Sequence, residues 1–182
     1  MHENRPGTAR ERLLAAALDL FAEHGVSGTS LQMIADRLGV TKAAVYHQFP
    51  TKDEIVLAVI DPALGRLAPI AEQAEAQRGQ AARREAVLTG VVDLVVDYRK
   101  VSATLSFDPV VMRLVRTHPA LRSLQRIRRL LGGTAPDPGS RVRMGVLSGG
   151  LMMAGADPAV AGLDDEDFRD HLLAAVRRIL KG

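Results

Sequence analysis

SLQMIADRLGVTKAAVYHQFPTKDEI, residues 30–55, is the stretch on which the fold turns. Leu31, Ile34, Ala35 and Leu38 recur at the spacing of one buried helix face, with Ser30 placed to cap the start and Gly39 the end. Thr41 can cap a further helix, and Pro50 pushes Phe49 out of helical geometry, so a short helix fits between them. Only Gly39-Val40-Thr41 separates the two helices, a tight turn of the length found in a helix-turn-helix. At about 100° per residue, Lys42, Ala43, Tyr46 and His47 share one arc of the short helix. Ala44, Val45 and Phe49 occupy the other and face Ile34 and Leu38, while Gln48 stands off the main polar arc.

On the N-terminal side, TARERLLAAALDLFAEHG (residues 8–25) opens with a capping-box pair, Thr8 and Glu11. Leu13, Leu14, Ala17, Leu18, Leu20 and Phe21 then follow a helical period until Gly25 can close the end. On the C-terminal side Thr51 and Glu54 form a second capping-box pair and start a fourth helix. Asp61-Pro62 predicts a kink or a fresh start with Asp61 as cap, and Pro69 a second disturbance. Helical patterns continue through AARREAVLTGVVDLVVDYRK (81–100), shorter pieces between Val101 and Leu131, RVRMGVLSGGLMMAGA (141–156) and DEDFRDHLLAAVRRILK (165–181). A Gly- and Pro-dense loop, GGTAPDPGS (132–140), interrupts them. Strand alternation is convincing nowhere, so the fold class expected is all-α.

Composition agrees. Of 182 residues 47% are hydrophobic, mostly Ala, Leu and Val, and only 3% aromatic, which favours helices over strands and a packed core over disorder. The absence of cysteine removes disulfides, thiolate zinc sites and a cysteine nucleophile. The start, MHENRPGTARE, has no apolar signal segment, and no run reaches the ~18 apolar residues of a membrane span. A soluble, cytoplasmic protein without membrane contact is expected. His2, His24, His47, His118 and His171 form no H-x-x-x-H pair, so neither a metal nor a cofactor is expected. Neither a G-x-S-x-G elbow nor a phosphate-binding Gly-Lys loop occurs, which argues against an enzyme.

The formal net charge is +3, yet up to Glu54 the bases number six (Arg5, Arg10, Arg12, Arg37, Lys42, Lys52) and the acids seven. Nucleic-acid binding would therefore rest on where charges stand, not on bulk attraction. A helix held by two others, with Lys42, a small Ala43, Tyr46 and His47 free, suits a DNA major groove, where Ala43 permits close approach. Thr29, Ser30 and Gln32 at the second helix's start, Thr41 at the third's and Lys52 at the fourth's are candidate phosphate contacts. The competing reading is a three-helix subdomain with a solvated face.

TSLQMIADRLGVTKAAVYHQFPTKDEI (29–55) resembles the N-terminal domain of the TetR family of transcriptional regulators. Ser30, Ile34, Ala35, Gly39, Val40, Val45, Tyr46, Phe49 and Lys52 fall on the family's pattern, and ALDLFAEHGVSGTS resembles its first helix. Gln48 departs from the usual His or Tyr, and Ile55 from Leu. The resemblance implies that the third helix reads bases, that Tyr46 and Lys52 meet phosphates, and that the second helix's start touches the backbone. It also implies a helix-turn-helix DNA-binding domain, assigned to residues 1–52, and an effector-binding and dimerisation domain, 53–182.

In that larger part the resemblance implies a homodimer through the last two helices and a small-molecule effector. Two apolar stripes offer an interface: Met144, Leu147, Leu151 and Ala154, and Phe168, Leu172, Ala175, Val176 and Ile179, with intramolecular packing of both as the alternative. Tyr98, Leu105, Phe107, Val111, Met112 and Leu114 are the candidate effector residues, with simple core as the alternative. Asp93 and Asp97 are expected on a solvent edge with Lys100, and Arg113, Arg116, Arg122, Arg126, Arg128 and Arg129 on a solvated basic face. The function expected is a ligand-responsive regulator, a repressor on a palindromic double-stranded DNA operator. An activator, an effector-independent regulator, or an adaptor or enzyme retaining the fold without DNA binding are the rivals.

Overall fold

A computed structural model describes residues 8–132 and 137–181. Residues 133–136 of the expected loop, and His2 and Arg5, lie outside the described residues. The described residues contain helices and no strand. The first four helices are α1 (Ala9–Gly28), α2 (Leu31–Leu38), α3 (Lys42–Gln48) and α4 (Lys52–Gly65). They start where the sequence places caps: Thr8 and Glu11 close a reciprocal capping box, and Ser30, Thr41 and Thr51 each accept a backbone N–H. Gly25 breaks α1 at φ 70°, and a last helical turn follows to Gly28. Gly39 closes α2 in the left-handed region at φ 65°, which lets the chain reverse within three residues into α3.

Of the two outcomes expected at Asp61-Pro62, a fresh helix capped by Asp61 does not occur: α4 runs on through Pro62. The helix carries it for one more turn and stops at Gly65, with Arg66 as the joint to α5 (Leu67–Glu75). Pro69 falls in the first turn of α5, where its missing N–H would have no intrahelical partner anyway. The rest of the chain is α6 (Gln80–Asp97), α7 (Arg99–Leu105), α8 (Pro109–Thr117), α9 (Leu121–Gly132), α10 (Pro138–Ala154), a 3-10 turn at Pro158–Val160 and α11 (Asp165–Lys181).

Two apolar clusters hold these helices. The first joins Leu13, Leu20, Phe21, Ile34, Val45 and Phe49 to Ile55, Val56 and Val59 of α4, and it also takes in Leu105 of α7 and Val111 of α8. The second fills the space between α5, α6, α9, α10 and α11. The core beneath the helix-turn-helix thus reaches well past residue 52. Polar links run along the same seam: the Asp108 carboxylate caps α8 and also accepts from the Val26 N–H at 3.2 Å. Arg113 pairs with Asp53 at 2.9 Å, His118 with Asp61 at 3.1 Å, and Lys100 with Asp19 at 2.7 Å.

Asp97 and Lys100 are exposed and Asp93 is half-covered, but the two carboxylates have partners other than Lys100. Asp93 pairs with Arg169 of α11 and Asp97 with Arg66. The basic stretch is likewise partly neutralised from outside itself, by Asp53 on Arg113 and by Glu75 on Arg126. The Arg126 guanidinium holds the Glu75 carboxyl below its usual range.

Candidate nucleic-acid interface

Helix α3 is held by few side chains. Val45 and Phe49 are buried against α1 and α2, Gln48 is half-covered, and Thr41, Lys42, Ala43, Ala44, Tyr46 and His47 are all exposed. Ala44, expected on the packed arc, is therefore open, which widens the free face. Tyr46 remains 46% exposed despite its size. The Lys42 ammonium lies 5.5 Å from the centroid of the Tyr46 ring, within reach of the negative ring face, so the two side chains occupy one direction together. On the opposite side the Arg10 guanidinium stacks 4.2 Å from the Phe49 ring centroid. Arg10 was not among the expected residues, since nothing in the spacing of positions 10 and 49 announces the contact.

The candidates around α3 divide. Ser30 and Thr41 are exposed caps, each with its oxygen accepting a backbone N–H three residues on. Gln32 is exposed, and its amide donates to Asp36 at 2.7 Å. Arg37 ties α2 to α1 through Glu23, whose carboxyl this hydrogen bond holds below its usual range.

Thr29 and Lys52 face inward. Thr29 is 2% exposed, and its hydroxyl donates to the carbonyls of Leu20 and Gly25, so it anchors the α1–α2 link instead of offering a free donor. Lys52 sends its ammonium to the carbonyl oxygens of Val26, Ser27 and Thr29, at 2.6, 3.2 and 2.8 Å. The carbonyls left over at the end of α1 need donors, and a cation there is doubly favourable. In this conformation both residues shape the interface from beneath. Lys52→Ala is expected to lower stability by about 2–3 kcal/mol, the scale of hydrogen bonds to a charged group, as read from urea unfolding. An unchanged midpoint would mean that the three contacts are not kept in solution.

The candidate effector residues are not gathered round one space. Leu105 and Val111 are core of the first cluster, and Leu114 packs against it. Phe107 is 58% exposed, Met112 is exposed and Tyr98 half-covered. The expected interface stripe is displaced as well. Leu147, Leu151, Phe168 and Val176 are buried inside the subunit, Met144, Ala154 and Leu172 pack against them, and Ala175 and Ile179 are exposed. What α10 leaves open is its other apolar stripe, with Val142 at 67%, Val146 at 60%, and Met153, one helical face at intervals of four and seven. An apolar helix with two stripes fits either packing, and spacing alone does not say which stripe turns inward.

A three-helix unit that presents a short, capped, groove-sized helix and rides on a larger helical body defines a helix-turn-helix protein of the DNA-binding type. Residues 13–59 match the model described as "Bacterial regulatory proteins, tetR family". Over those residues the chain is similar to the DNA-binding domain of the TetR family. It is 33% identical over 57 residues to the HTH-type transcriptional repressor KstR2 of Mycolicibacterium smegmatis, a match covering 31% of this chain and 28% of that protein. The chain thus matches little more than a quarter of that relative's length. The whole fold is similar to AmtR of Mycobacterium smegmatis, at a TM-score of 0.70 and 25% identity, over 98% of this chain and 89% of that one. It is also similar to FadR of Bacillus subtilis, solved in complex with stearoyl-CoA, at 0.62 and 15% identity over 94% and 95%. Among the described residues no helix is long and apolar enough to cross a membrane, and no cluster of side chains could hold a metal ion.

Proposed function

We propose that the chain is a transcriptional regulator that binds a palindromic double-stranded DNA operator as a homodimer, acting as a repressor that a small-molecule effector releases. The observation that carries this is α3, fixed by Val45 and Phe49 while its other side chains, the half-covered Gln48 apart, stay open. Residues 1–52 supply the DNA-binding surface and 53–182 the effector and dimer surfaces. Lys42, Ala43, Tyr46 and His47 enter the major groove. Ser30, Gln32 and Thr41, with the free N–H groups at the starts of α2 and α3, meet phosphates.

Two copies place their α3 helices in successive major grooves about 34 to 36 Å apart. The exposed α10 residues Val142 and Val146, with Ile179 of α11, are the dimer surface this reading requires. Release by an effector needs only differential binding to two arrangements of the dimer: a ~100-fold fall in operator affinity corresponds to about 2.7 kcal/mol. The repressor name carried by KstR2 and the acyl-CoA held by FadR support the finer reading.

Selection of bound sequences from a random DNA pool tests the proposal. A palindrome is expected, and recovery of no preferred sequence would overturn it. On the selected site, Tyr46→Ala is expected to weaken binding by about 1–3 kcal/mol, nearly equally on operator variants, because a phosphate contact carries no sequence information. His47→Ala should instead change which base is preferred. Fluorescence anisotropy on a set of single-base variants separates the two patterns.

A further inference from the structure

The first two residues of α7 reach opposite parts of the molecule. Arg99 lays its stem across Gly155 at the end of α10, so closely that a β-carbon there would stand 2.7 Å from the Arg99 Cγ. Its guanidinium stacks 4.3 Å from the Phe168 ring centroid and donates to the carbonyl oxygens of Val160 and Leu163. Lys100, the next residue, reaches Asp19 of α1. Phe168, Val160 and Leu163 also line, with Gly150, Met153 and Leu172, a cavity of about 420 Å³ between the end of α10, the 3-10 turn and the start of α11. None of the effector residues expected from the sequence borders it.

We propose that this cavity binds a small apolar molecule carrying a positively charged amine, and that Arg99 and Lys100 pass its occupancy to α1. The volume falls within the range of about 300–1,000 Å³ usual for small-molecule sites, and the wall is mainly apolar with few polar groups. The carboxylate on that wall is Asp157. One of its oxygens caps the 3-10 turn by accepting from the Ala159 N–H at 2.9 Å, and the other is left for a ligand. His171 is the other polar side chain on the wall and is exposed. Arg99 has its guanidinium against the Phe168 ring and committed to two carbonyls. An anionic head group would meet Asp157 with like charge, whereas an ammonium gains a partner. A molecule seated against Phe168, Val160 and Leu163 presses on the three groups that fix Arg99. Because Arg99 lies over Gly155 without slack, it moves with them, and α7 with it.

The binding step stands by itself; the consequence for DNA rests on the function proposed above. Calorimetric titration of the full chain with octylamine and with octanoate tests the site. Octylamine is expected to bind about tenfold more tightly, equivalent to about 1.4 kcal/mol. Asp157→Asn, which retains a capping side chain, is expected to erase the preference. Gly150→Leu adds a side chain whose β-carbon meets nothing within 4 Å and which fills the cavity; it is expected to weaken octylamine at least tenfold. No octylamine binding, equal or tighter octanoate binding, or binding unaffected by Gly150→Leu each overturns the site. Amide hydrogen exchange in α1 reads the relay without DNA: octylamine is expected to change it in the unaltered chain and not in Arg99→Ala. An unchanged α1 with octylamine bound overturns the relay, whatever the protein does on an operator.

Discussion

Phe21→Ala is expected to remove about 3–5 kcal/mol of folding stability, a large share of the ~5–15 kcal/mol typical of a whole domain. Phe21 is among the largest fully enclosed side chains and sits in the cluster that joins α1 to α2, α3 and α4. Truncation leaves a cavity inside the cluster that α1 to α4 share, and a close-packed interior collapses only in part around such a space. Phe107→Ala is the matched control, because the same truncation at a ring left mostly in solvent should fall within about 0.5 kcal/mol of the starting stability. Urea unfolding of both variants, followed by circular dichroism, gives the comparison. Similar losses from the two would mean that the burial of α1 is misplaced.

Val146→Asp is expected to have the larger effect on operator binding, although it touches no DNA. Val146 is exposed in the single chain, so the carboxylate costs the fold little; in a dimer built on that stripe it would bury a charge without a partner. Sedimentation at micromolar concentration should then show a monomer. Its operator affinity should fall at least 100-fold, because each α3 must find its half-site without the gain from being linked to the other. Leu147→Asp, one residue on, should unfold the chain, since Leu147 is 1% exposed and packs in the second cluster. A Val146→Asp variant that stays dimeric and binds fully would place the interface elsewhere.

The helix-turn-helix was legible because its signals are local. Caps at Ser30, Thr41 and Thr51, the Gly39 turn and the Pro50 stop each depend on residues within one helical turn. The apolar pattern then fixes which side of α2 and α3 turns inward. What the sequence hid depends on residues brought together over long separations. Lys52 looks like any exposed lysine until the end of α1, more than twenty residues earlier, brings three carbonyls to its ammonium. Thr29 reads as a surface hydroxyl until α1 curls back over it. In α10 two apolar stripes run side by side, and the choice between Leu147 and Val146 as the inward residue is made by α6, α9 and α11, not by α10 itself. Pro62 stays inside α4 for a related reason: the penalty of a proline inside a helix is outweighed by the burial of Ile55, Val56, Val59 and Ile60 on the same helix.

Leu105 and Val111 belong to the apolar cluster beneath the helix-turn-helix, and this bears on grafting. A chimera that joins residues 1–52 of this chain to the body of a relative would carry Phe21, Ile34 and Val45 without the two side chains that finish their packing, and would leave the Val26 N–H without Asp108. The transferable cassette is discontinuous: α1 to α4 together with the α7–α8 corner. Specificity exchanged as that pair of segments keeps its scaffold, whereas specificity exchanged as a simple head does not.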